Sequence, residues 1–189
     1  MHIAVTEESI QKANALFWEQ MLAMRLEPIP PDGPTEHRCI GAAHIVGSCA
    51  LSGVWNGRIE VRLSQGLALA ATSAMLMQPL DTVQANDTLD ATKEIANMIA
   101  GTLKSALPRP CSMSVPSAGM EPADFCALSR TGDSVTVFFG HPAGELMVRV
   151  WEEHPQLASS KLPNREAEGD SIRLNELISM PLFISACPA

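Results

Sequence analysis

Two side chains three residues apart, Glu94 and Asn97, are the pair in this sequence best suited to act together. A carboxylate accepts from or pairs with a cation, and a carboxamide both donates to water and accepts from it. On a helix, residues three apart are surface neighbours, so such a pair can dock a cationic group and hold a water nucleophile. Gly101, one turn further along, costs about 1 kcal/mol relative to Ala in a helix interior. A glycine there suggests that something approaches the backbone closely. The same residues also fit an ordinary solvated helix face with a tolerated glycine, because an acid and an amide at this spacing form a weak motif on their own.

The segment that carries the pair has a helical pattern over about 88–107. It opens at Asn86 and Asp87 as candidate caps and ends before Pro108 and Pro110. With Glu94 set at zero and 100° added per residue, Leu89, Ala96, Ile99, Leu103 and Leu107 fall within about 40° of the opposite direction, which makes that side the core face. Asp90, Glu94, Asn97, Gly101 and Lys104 fall in a band about 80° wide on the other side.

Around this helix the sequence predicts an α+β domain. Thr6, Glu7, Glu8 and Ser9 start a first helix over about 6–25, with Ile10, Ala13, Leu16, Phe17 and Met21 at helical spacing. Pro28, Pro30, Pro31 and Pro34 make 27–36 a loop. Residues 37–52 and 58–63 read as a β-hairpin turning at Asn56-Gly57. A second, strongly apolar helix covers about 66–78. Strands are expected at about 111–117, 133–140 and 144–152, the last two joined by His141-Pro142-Ala143. The expected fold is a two-layer arrangement of a mainly antiparallel sheet against two long pseudo-equivalent helices. Residues 1–155 form the domain, and 156–189 a C-terminal extension of unassigned role. That extension includes an amphipathic piece at Ser171–Ser179 capped by Asp170. A weak internal repeat sets Ala13-Asn14 over Ala96-Asn97, which places Gln11 over Glu94 and Trp18 over Gly101.

Composition narrows the function classes. A length of 189 residues fits one domain, and a formal net charge of -8 argues against a broad basic surface for nucleic acid or anionic lipid. The five cysteines are odd in number and lack CxxC spacing, so reduced and mostly buried thiols are expected rather than a disulfide framework or a zinc cluster. The start MHIAVTEESIQKAN has no secretory pattern, and the apolar run from Gly66 to Met77 is too short to span a bilayer. A cytoplasmic protein without membrane insertion is expected. His37 with Cys39 lacks a second ligand pair at zinc spacing, and His44, His141 and His154 are isolated, so no metal site is expected. Gly53, Gly57 and Gly66 form no phosphate loop. Trp55 is read first as a turn aromatic covering the sheet edge and second as a partner anchor.

The run from Asp90 through Glu94, Asn97 and Gly101 to Leu107 and Pro108 resembles the signature helix of the CheC/CheX family of chemotaxis phosphatases, whose pattern is ExxN followed by apolar residues and Gly. Trp55 to Val61 and the helix ending in Met75-Leu76-Met77 are similar to that family as well, so the likeness spans about 6–152. The resemblance implies hydrolysis of the aspartyl phosphate on a CheY-like response regulator. Asn97 would orient the attacking water and Glu94 would engage the regulator's active-site lysine, with Asp90, Met98, Gly101 and Lys104 contacting the partner. It implies no cofactor bound by this chain, Mg2+ only on the phosphorylated regulator, and a possible homodimer. With one intact motif the chain is closer to CheX than to CheC, so Gln11 and Asn14 are expected to be inactive and Trp18 to obstruct approach. The alternative from another class is a noncatalytic module that binds a receiver domain or takes part in signalling or flagellar-switch assembly.

Overall fold

The computed structural model describes residues 5–30, 44–121 and 134–153. The expected features at His37, Cys39, Cys126, His154, Cys187 and Ser171–Ser179 lie outside these residues, as do most of the 27–36 loop and the whole 156–189 extension.

Among the described residues, three helices pack on one face of a mainly antiparallel seven-stranded sheet, giving the two-layer α+β fold expected. In chain order the elements are α1 (Glu7–Leu22), β1 (Glu27–Ile29), β2 (His44–Gly53), β3 (Gly57–Ser64), α2 (Gln65–Leu76), a 3₁₀ turn (Leu80–Thr82), α3 (Ala85–Lys104), β4 (Cys111–Met113), β5 (Ser117–Glu121), β6 (Ser134–His141) and β7 (Gly144–Glu152). The sheet runs β1-β6-β7-β3-β2-β4, with β5 also on β2.

The period-two pattern of the strands fixes the faces. Ile45, Cys49 and Leu51 on β2, Ile59, Val61 and Leu63 on β3, and Leu146, Val148 and Val150 on β7 join the helices in one core. The opposite face of β3 is charged, and Arg62 there bonds both Glu60 at 2.7 Å and Glu121 at 2.5 Å. Burial raises the Glu121 carboxyl above its ordinary value, and the neighbouring Glu60 charge adds to the rise that Arg62 opposes.

The strand order shows a duplication more plainly than the sequence does. The segment α1-β1-β2-β3 is repeated as α3-β4/β5-β6-β7, with β4 and β5 together taking the place of one strand along β2, and the last strands of the two halves, β3 and β7, pair antiparallel in the middle. The first strand of each half crosses to the other, since β1 pairs with β6 and β5 with β2.

Several boundaries differ from the sequence reading. Pro28 lies within a strand rather than a loop, which an edge position allows because a missing N–H disrupts pairing on one side only. The strand expected over 111–117 is two strands, β4 and β5, interrupted before Pro116 where Ser114 Oγ accepts the Ala50 N–H at 3.0 Å. Helix α1 ends at Ala23 (φ 52) and α2 at Met77 (φ 53), both left-handed caps without glycine. Helix α3 starts three residues earlier than expected. Asn86 and Asp87 are inside it, and the Asp87 carboxylate accepts the Gln84 N–H at 3.0 Å from the third helical position. At its other end the ladder tightens to Ser105→Thr102, Ala106→Leu103 and Leu107→Lys104 bonds before Pro108.

Candidate active site

The candidate site is built on α3, at 20 residues the longest of the described helices. Its inner face is small and closely seated: Ala85, Thr88, Ala91, Thr92, Ile95, Ala96, Ile99, Ala100 and Leu103 are buried. Of the expected core residues, Leu107 is also buried and Leu89 is partly so. The hydroxyls of Thr88 and Thr92 bond back to the carbonyls of Gln84 and Thr88, so these buried polar groups are satisfied within the helix. α3 lies mainly over β2, and α1 and α2 pack beside it.

The outer face carries the expected stripe. Asp90, Glu94 and Gly101 are exposed, and Asn97 and Lys104 are half-buried. Asn97 Nδ2 reaches Glu94 Oε2 at 3.4 Å, a long contact that keeps carboxylate and carboxamide side by side without locking either. Asp90 is paired with Lys93 at 2.8 Å, which leaves Glu94 as the stripe's carboxylate without an ion-pair partner among the described residues. A Cβ built on Gly101 would meet nothing within 4 Å among the described residues, so none of them requires glycine there. Met98 is half-buried and packs against the core, round the helix from Asn97. Chemically, the stripe is an outward anion beside a bifunctional amide on a rod whose far side is anchored, with open backbone one turn away.

The other half has no such face. Asn14 and Trp18 are buried on α1. Asn14 Nδ2 donates to the Ile10 carbonyl at 2.9 Å, and its Oδ1 accepts from Trp18 Nε1 at 3.3 Å. This corrects the reading of Trp18 as an outward obstruction, since its ring points into the core and stacks edge-on against Phe17 at 5.5 Å. It also corrects the alignment of Asn14 with Asn97. Setting the buried positions Ile10, Ala13, Asn14, Phe17 and Trp18 over Thr92, Ile95, Ala96, Ile99 and Ala100 brings Lys12, Ala15 and Glu19 opposite Glu94, Asn97 and Gly101.

Residues set aside in the sequence behave as packing groups. Trp55 is buried, with its ring over Gly57 where a Cβ would stand 2.1 Å from it, so it covers the turn rather than facing a partner. Cys49 is buried and Cys111 partly so, both as free thiols. No group of three or more His, Cys, Asp or Glu side chains that could hold a metal ion occurs among the described residues. None of the described helices is long and apolar enough to cross a membrane.

Comparison with known proteins agrees with the architecture. Residues 45–139 match the family model described as "Chemotaxis phosphatase CheX". The fold superposes on the chemotaxis protein CheX from Desulfovibrio desulfuricans with a TM-score of 0.62 at 23% identity, over 77% of this chain and 97% of that one. It also matches a CheX–CheY–BeF3–Mg+2 complex from Borrelia burgdorferi (TM-score 0.58, 16% identity, 80% of this chain and 100% of that one). A third match is FliY from Thermotoga maritima (TM-score 0.53, 14% identity, 79% and 92%). At these identities the likeness is one of fold. No curated protein sequence matches significantly.

Proposed function

The chain belongs to the CheX chemotaxis phosphatase family, and from that premise we propose that it hydrolyses the aspartyl phosphate of a CheY-like response regulator with Glu94 and Asn97 as the working pair. The observation that carries the proposal is the outward placement of these two side chains, one turn apart on a helix whose opposite side is seated in the core, with Leu89 there partly exposed.

The chemistry asks little of the phosphatase beyond position. An acyl phosphate sits in the receiver with its own divalent cation, and the transition state needs an in-line water and charge stabilisation. Asn97 accepts a hydrogen bond from the water with its carboxamide oxygen and donates with its nitrogen to the phosphoryl edge. The water oxygen forms a bond to phosphorus, the bond from phosphorus to the aspartyl oxygen breaks, and the receiver recovers a carboxylate while inorganic phosphate leaves. Glu94 pairs with the lysine of the receiver's phosphorylation site, which registers Asn97 over the phosphorus. Gly101 lets the receiver close onto the backbone, with Asp90, Met98 and Lys104 around it. The reaction forms no covalent intermediate on this chain and needs no metal held by it. Self-association as a homodimer is compatible with this chemistry and is not required by it.

The test is phosphate release from a phosphorylated receiver by catalytic amounts of the protein. Asn97→Ala abolishes the acceleration and keeps the fold, and unaltered turnover in that variant removes the mechanism. Saturable receiver binding with no change in dephosphorylation rate would favour a noncatalytic binding role for the same surface.

A further inference from the structure

We propose that Gly47, at the centre of β2, is a positioning residue for the Glu94–Asn97 pair; the inference rests on the phosphatase reading above. β2 turns Ile45, Gly47, Cys49 and Leu51 toward the helices, and Gly47 is the one position there without a side chain. α3 occupies the notch that results. A Cβ at residue 47 would stand 2.8 Å from the Thr92 carbonyl oxygen, 3.0 Å from Thr92 Cγ2 and 3.1 Å from Ala96 Cβ.

None of these three atoms can step aside. The first is helix backbone, the second belongs to a buried threonine whose hydroxyl is tied to the Thr88 carbonyl at 2.8 Å, and the third is a methyl group with no rotamer to change. Around the helix, Thr92 and Ala96 lie about 20° to either side of the direction opposite Glu94. The contact with Gly47 is thus made by the turn of α3 directly beneath the pair. A methyl group at 47 can be accommodated only if that turn and β2 move apart or roll against one another. Glu94 and Asn97 would then move relative to α1 and α2, which flank the docking face. The height and roll of the pair are set by a missing side chain on a neighbouring strand. In-line chemistry is sensitive to this, since a misplacement of about 1 Å can cost roughly 10²-fold in rate.

The experiment uses the full chain carrying Gly47→Ala, the milder Ala96→Ser, which enlarges the opposing side chain by one atom, and a control, Val150→Ala. Val150 is buried in β7, two strands from β2. Turnover of a phosphorylated receiver and affinity for the same receiver loaded with beryllofluoride are measured side by side. Gly47→Ala is expected to lower kcat by about tenfold or more and Ala96→Ser by a few-fold, with affinity changed by less than about twofold. Val150→Ala keeps its kcat below its unfolding transition. Full kcat in folded Gly47→Ala, or an equal loss in Val150→Ala at a matched melting midpoint, overturns the proposal. If Gly47→Ala does not fold, Ala96→Ser decides by the same criterion. Absence of turnover by the unmodified chain would instead overturn the phosphatase reading, and this inference with it.

Discussion

Replacing Gly101 by Ala separates docking from stability because the two effects have opposite signs. The residue is exposed in the last turn of α3, and an added Cβ would meet nothing within 4 Å among the described residues. Its backbone is not in the left-handed region. An alanine at such a position gains about 1 kcal/mol in a helix interior, partly by restricting the unfolded chain, and about half of that near a fraying end. For a domain of this size, a gain of about 0.5–1 kcal/mol raises Tm by roughly 1–4 °C. If a receiver closes onto the bare backbone, the same methyl group holds it away. KM should then rise about tenfold, equivalent to ~1.4 kcal/mol of lost binding. Thermal melting and steady-state phosphate release over a range of receiver concentrations read the two effects independently. A variant that melts higher and works as well as the parent would refute the idea that Gly101 is kept for approach, and the site would reduce to the pair alone.

Two further outcomes follow from the hydrogen-bond and charge pattern. Asn14→Ala leaves the Trp18 indole N–H buried without its acceptor and should cost about 1–3 kcal/mol in chemical denaturation, with kcat unchanged below the transition; a loss of kcat would mean that α1 takes part in catalysis. For Glu121, the folded-state pKa is raised, so its stabilising contribution is present below the unfolded pKa and is lost as pH rises through the folded value. Glu121→Gln removes that titration. The stability of the parent relative to the variant should therefore fall as pH is raised from the acid range toward neutrality, and a relative stability that rises over this range would contradict the assignment.

The stripe on α3 was legible in the sequence because its apolar positions repeat at 3.6 residues and its polar ones fall on one side, a pattern that needs no tertiary information. Its start was not, because Asn86 and Asp87 both look like caps, while the residue that precedes the helix, Gln84, is capped by Asp87 from within. β5 was missed because Ser117–Glu121 contains small residues and a glycine. Its pairing is decided by β2, at long range, rather than by propensity. The repeat was misaligned because asparagine was matched to asparagine. Burial is the property that the duplication preserves, and it places Asn14 on the inside. Gly47 was not singled out, because a glycine in a strand signals close approach without saying which element approaches.

The exchange of first strands between the halves ties the working helix to residues far from it in the chain. α3 is encoded in the second half, yet the strand it rests on belongs to the first, and β5, which follows it, completes that strand's other edge. Neither half can close its own sheet, so a fragment carrying the whole motif would lack the floor that holds it. Folding must wait for distant partners to meet, which favours a slow, all-or-none process over stepwise assembly. Competence for chemistry should appear only in that last concerted event, and a cleavage between the halves should be silent only while both pieces remain entwined.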